Sequence, residues 1–204
     1  MRIALLGATG GIGRAFDSQA QAAGHEVVAA VRNPHARPGS ILVDIFDPDA
    51  LAGVIDGCDA VVSALGPRPG GSTTLHEDAA RSTLAAMAKV GIRRYVLVSA
   101  NGAFIDPGDG FVLRHVLKPM AMRFFRENFA DLQRTEPMVH ASETDWTIMR
   151  PPRLTNRPLT GAYRTAVDRG LPRSLSIPRA DVAQAMLKAL PDPSTYGHFL
   201  TVCT

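Results

Sequence analysis

The chain has 204 residues, 46% hydrophobic and 20% charged, which suits a folded domain with a sizeable core and excludes a disordered polymer. Its net charge of +3 is mild, and its 19 arginines and 3 lysines form no basic run, which argues against a nucleic-acid partner. Two cysteines, Cys58 and Cys203, and six histidines without ligand spacing give neither a disulfide framework nor a metal site.

Short apolar runs alternate with helical patterns along the chain. Ile3–Leu6, Val27–Val31, Ile41–Val43, Ala60–Leu65, Tyr95–Ser99 and Trp146–Met149 read as buried strands bounded by turn residues. Ile12–Ala23, Pro48–Val54 and Thr74–Val90 read as helices, the first stopped by Gly24, the last N-capped by Thr74 and closed by Gly91. A further helical segment, Pro119–Ser142, contains Pro137, where the pattern predicts a kink or a break into two helices. After Arg150 the chain is richer in Pro and Gly, then yields a helix over Arg179–Leu190 and a strand near His198–Val202. This alternation predicts a doubly wound parallel sheet with helices on both faces, a single Rossmann domain over residues 1–204, and a small cap on the substrate side. Ile3–Leu6 is too short to cross a membrane and lacks the flanks of a secretory signal, so the expectation is a cytoplasmic monomer without membrane or nucleic-acid partners.

Gly7, Gly10 and Gly13 sit between the first strand and the first helix. At that place one glycine allows the tight turn, one lets backbone approach a pyrophosphate, and one lets the helix pack on the sheet. The helix N–H groups then face the phosphates. The spacing is G-x-x-G-x-x-G rather than G-x-G-x-x-G, and its context of strand, turn and helix is what gives it weight. Strand two ends in Arg32, where an NAD-selective site carries Asp or Glu. A guanidinium there suits a 2′-phosphate, with Arg37 and Arg14 nearby in sequence, and predicts NADP(H) as cofactor.

These residues resemble the atypical short-chain dehydrogenases/reductases. The likeness is carried by Gly7-Ala8-Thr9-Gly10-x-x-Gly13, Val31-Arg32-Asn33-Pro34 and Asp145-Trp146-Thr147-Ile148-Met149-Arg150-Pro151. Within that superfamily the chain is most similar to the group containing biliverdin-IX-beta reductase, an NADPH-dependent flavin reductase. That likeness lies in Pro151-Pro152-Arg153, Pro158-Leu159-Thr160-Gly161-Ala162-Tyr163, Leu65-Gly66-x-Arg68 and Asp106-Pro107. The resemblance implies that Gly7, Thr9, Gly10, Ile12 and Gly13 line the pyrophosphate and that Arg32 meets the 2′-phosphate. It implies Asp44 and Ile45 at the adenine, Leu65, Gly66 and Arg68 at the next ribose, and Ser99 and Pro152 about the nicotinamide. Arg153, Leu154 and Arg157 are then the substrate-side residues, the arginines orienting an acidic acceptor.

The chain departs from its relatives at three points. Tyr95, Tyr163 and Tyr196 have no Lys four residues on, so the superfamily's Tyr-x-x-x-Lys proton donor is absent. Ala100 replaces the reductase group's serine, and Arg153 replaces its histidine. A flavin spreads accepted charge over its ring and needs no side-chain acid at hand. The sequence therefore predicts hydride transfer from NADPH to a flavin, bilin or quinone-like acceptor, with Ser99 as the candidate catalytic residue. The alternative is a non-catalytic NAD(P)H-binding redox sensor.

Overall fold

Strand β1 (Arg2–Leu6) shows how the sequence builds two cores at once. Its side chains alternate between sheet faces, Ile3 and Leu5 entering one apolar cluster and Ala4 and Leu6 the other. Apolar residues on both faces mark a central strand covered on both sides. The computed structural model describes residues 1–32, 38–67 and 74–204. Around β1 it assembles β2 (Glu26–Val31), β3 (Ile41–Leu42), β4 (Ala60–Ser63), β5 (Arg94–Val98) and β6 (Asp145–Arg150) in the parallel order β3-β2-β1-β4-β5-β6. The order reverses between β1 and β4, which opens a crevice at their carboxyl ends. The doubly wound expectation holds, and the sheet extends further. β10 (His198–Cys203) adds parallel to β6, and β8 (Arg164–Val167) closes the edge antiparallel to β10. β7 (Arg153–Thr155) and β9 (Ser176–Pro178) pair separately, beside the same crevice.

Helices α1 (Gly11–Ala22) and α6 (Arg179–Ala189) cover one face, burying Phe16, Ala20, Val182 and Met186. Helices α2 (Pro48–Ile55), α3 (Leu75–Val90) and α5 (Arg126–His140) cover the other, with Leu51, Ile55, Met87 and Val139 inside. No helix of the described residues is long and apolar enough to cross a membrane.

Three local expectations are corrected. The run Ile41–Val43 forms only a two-residue exposed strand, because it is the sheet edge and pairs solely with the end of β2. Thr74 stands at the N-cap of α3, but its hydroxyl donates to Asp78. The orphan N–H groups of His76 and Glu77 are met instead by the buried Asp131 carboxylate, reaching across from α5. The break in the Pro119–Ser142 segment falls at Phe125, between α4 (Lys118–Phe124) and α5, and not at Pro137. Pro137 lies in the last turn of α5, where one missing N–H is outweighed by burial of the apolar Leu132 and Val139.

Candidate functional site

The glycine turn is as tight as backbone allows. Gly7 has φ +81, and a Cβ on it would stand 2.6 Å from the Ala64 carbonyl oxygen on β4's exit. A Cβ on Gly13 would lie 2.0 Å from the Gly7 carbonyl oxygen, so α1 rests directly on the turn. Arg14 braces the same turn from outside, its Nη1 donating to the Thr9 carbonyl at 2.7 Å. α1 begins at Gly10 without a side-chain cap and carries no acidic residue in its first turn. Its open N–H groups therefore suit an anion such as a pyrophosphate.

Two cavities meet at this turn. The smaller, about 270 Å³, is lined by Gly7 to Gly10, the end of β2 through Arg32, Ile45 and Phe46, and Ala64 to Gly66. The larger, about 910 Å³, runs from Thr9–Ile12 past Leu65 and Gly66 to Ser99, Pro152, Arg153 and Leu154. Most of its far wall is apolar: Leu113, Leu117, Ala121, Phe125, Phe129 and Leu132. They share Thr9, Gly10 and Ala64 to Gly66, so together they form a continuous crevice along the sheet's switch point, the place where such sheets bind ligands.

Beneath Ser99 lies a buried polar network. Ser99 Oγ donates to Glu136 Oε1 at 2.5 Å, and Glu136 is the ion-pair partner of Arg150 Nη2. The Arg150 guanidinium also donates to Asp106 Oδ1 at 2.8 Å. It is stacked between the rings of Phe104 and Phe199, 3.9 and 3.7 Å from their centroids. Lys118, only 1% exposed, donates to Asp109 Oδ2 at 2.7 Å and to Asn101 Oδ1 at 2.9 Å, and lies 3.6 Å from Asp106. Burial on this scale requires every charge to have a partner, and Ser99, Glu136, Arg150, Asp106, Lys118 and Asp109 form one connected chain. Asn101 and Lys118 carry it to the wall of the large cavity.

The crevice gathers most of the residues singled out in the sequence. Gly7, Thr9, Gly10, Arg32, Ile45, Leu65, Gly66, Ile12, Ser99, Pro152, Arg153 and Leu154 line one or both cavities. Gly13 supports the turn from below. Asp44 is exposed and its carboxylate accepts from the Phe46 N–H, while the neighbouring Ile45 and Phe46 face the cavity. Arg157 is exposed and stands outside both linings. Arg37 and Arg68 lie outside the described residues.

Sequence reasoning missed three contributors. Arg179, the first residue of α6, folds its side chain over Gly11 into the large cavity and donates to Asn156 Oδ1 at 2.6 Å. A Cβ at position 11 would stand 2.5 Å from Arg179 Cδ, so a larger residue there would push the arginine side chain aside. His76, one of the six histidines without ligand spacing, lines the cavity, and burial lowers its pKa below the ordinary histidine range. Glu136 gave no signal beyond its helical spacing from Leu132 and Val139. The Pro158–Tyr163 stretch acts through packing: Thr160 N, Thr160 Oγ1 and Gly161 N all donate to the fully buried Asp181 on α6.

Known proteins are similar to this chain in sequence and fold. A family model described as NAD(P)H-binding matches residues 7–193. The Bacillus subtilis protein YhfK, named an uncharacterized sugar epimerase, is 30% identical over 96% of this chain and 90% of its own length. A Bacillus halodurans structure, provisionally called an NAD-dependent epimerase/dehydratase, superposes with TM-score 0.82 at 27% identity, covering 100% of this chain and 94% of that one. A Streptococcus pneumoniae structure, provisionally called an NADH-flavin reductase, shares the fold with TM-score 0.80 at 22% identity, over 100% and 99% of the two chains. With a glycine turn built for a dinucleotide and a match along nearly its whole length, the chain belongs to the NAD(P)H-binding family of atypical short-chain dehydrogenase/reductase proteins.

Proposed function

We propose that the protein is an NADPH-dependent reductase that passes hydride to a flat, conjugated acceptor of the flavin, bilin or quinone type. The observation that carries this reading is the contrast between the large cavity and its acid–base equipment. About 910 Å³ of mostly apolar space lies beside Ser99, and among the described residues no tyrosine lines it. Tyr95 is buried within β5, where desolvation pushes its phenol up to about 12. Tyr196 packs under Arg94, and Tyr163 turns its buried hydroxyl away from the crevice wall. Ser99 Oγ already donates its hydrogen bond to Glu136. Interconverting a sugar alcohol and ketone needs a proton donor poised at the oxygen, and among the described residues no tyrosine stands on this wall to serve as one. A conjugated ring that delocalises the added charge does not need one.

The bound nicotinamide supplies the hydride. The α1 N-terminus and Arg179 meet the pyrophosphate, and Arg32 meets the 2′-phosphate in the smaller cavity. Leu65, Ser99 and Pro152 hold the reactive ring against the acceptor, which Phe125 and Phe129 flank and Arg153 orients through its acidic group. These side chains act by positioning and by excluding water. Steady NADPH oxidation would be followed against a panel of flavins, quinones and a bilin, with nucleotide sugars as controls. Turnover of a conjugated acceptor supports the reading, and epimerisation of a nucleotide sugar without net NADPH loss would replace it.

A further inference from the structure

The segment that walls the large cavity is apolar on two faces at once. From Phe111 to Phe124 the backbone is continuously helical, through a π-helical turn at Leu113–Leu117 and then α4. Leu113, Leu117, Ala121 and Phe125, spaced by four, line the cavity. Val112, Val116 and Met120, on the neighbouring stripe, are exposed together with Phe111 and Phe124. Phe111 and Phe124 are 77% and 76% exposed, more than any other large apolar side chain described. Single exposed apolar residues are ordinary, but a row along about 20 Å of helix is a binding surface.

The charge beside it says what covers it. Arg114, Arg123 and Arg126 are exposed on the same segment, and residues 110–126 contain no Asp or Glu. Lys118 is turned inward to Asp109. A twofold contact with a second copy would set three arginines against three, with the exposed Glu127 beside Arg126 as the one carboxylate at the segment's end to meet them. An anionic bilayer answers both features, acyl chains taking the phenylalanine row and headgroup phosphates the arginines. We infer that this face rests on an anionic membrane surface, with Phe111 and Phe124 in the headgroup boundary and one helix between lipid and cavity. The sequence expectation of no membrane partner rested on the lack of a spanning segment, and surface attachment needs only an amphipathic face.

Co-sedimentation of the whole chain with vesicles tests this. Binding is expected to phosphatidylcholine mixed with phosphatidylglycerol, and to be at least tenfold weaker to phosphatidylcholine alone or at high salt. Phe111→Ser with Phe124→Ser should weaken binding by roughly tenfold or more, from two lost apolar insertions. Arg114→Gln, Arg123→Gln and Arg126→Gln together should do the same. NADPH binding by both variants should match the wild type, showing that they fold. The inference is overturned if the wild type stays in solution with anionic vesicles at low salt, or if neither variant weakens binding. It is also overturned by a dimer that the phenylalanine variant dissociates while no vesicle binding is seen.

Discussion

Ser99 Oγ donates a 2.5 Å hydrogen bond to Glu136 Oε1, so the one hydroxyl at the end of β5 faces the buried network. We propose that a hydroxyl engaged in this way positions its neighbours and does not deliver a proton. Ser99→Ala should therefore lower the single-turnover rate at saturating NADPH by no more than about a hundredfold. A loss of about a thousandfold or more would make Ser99 the proton donor, with Glu136 behind it.

Glu136 is the other end of that bond, and it also pairs with Arg150. Glu136→Ala would leave a stacked guanidinium with only Asp106 as its ion partner and Ser99 without an acceptor. Removing one member of a buried ion pair costs about 3–5 kcal/mol. Urea unfolding should show a loss of that size. A change below about 1 kcal/mol would mean that water enters the network and replaces the carboxylate.

His76 gives the stability a pH dependence of defined sign. Burial lowers its pKa, with Asp131 pulling weakly the other way. The unfolded chain then binds the proton more readily than the folded one. This contribution is fully present above the unfolded value of about 6.5 and is lost as pH falls toward the lowered folded value. The slope in that window is at most about 1.4 kcal/mol per pH unit. His76→Gln should flatten the unfolding free energy there, and an unchanged slope would assign the dependence to other groups.

Arg32 is expected to set cofactor choice. It is exposed at the end of β2 and lines the smaller cavity, free to meet a 2′-phosphate. A charge-assisted hydrogen bond contributes about 1.5–3 kcal/mol, so NADPH should bind roughly ten- to a hundredfold tighter than NADH. Arg32→Asp should weaken NADPH and leave NADH unchanged or improved, measured by calorimetry at one fixed salt concentration. Equal wild-type affinities would show that Arg32 points to solvent.

The parts of this structure that were legible in the sequence are those with local causes. Short apolar runs bounded by turn residues placed the strands of the central sheet, 3.6-residue apolar patterns placed its helices, and three glycines marked the turn because close backbone approach excludes Cβ. What was illegible is long-range. Asp131 caps α3 from 54 and 55 positions away. Arg179 covers Gly11 only because α6 packs on α1, and Glu136 looked like any polar residue on an amphipathic helix. Pro137 misled because its cost depends on position within the helix, and the last turn tolerates it. The helical reading began only at Pro119, so the Phe111–Lys118 part of the exposed row went unread, and a sequence stripe cannot say which of two apolar faces is covered.

Hydride transfer itself is the most direct test. NADPH carrying deuterium at the transferable position would be mixed with excess protein and an oxidised flavin or quinone in a single turnover. The account predicts oxidation matching the bound NADPH, slowed by the isotope, with Arg153→Ala keeping the wild-type rate on a neutral acceptor. NADPH that binds tightly yet stays reduced against every conjugated acceptor would contradict it and leave the protein a nucleotide-binding sensor.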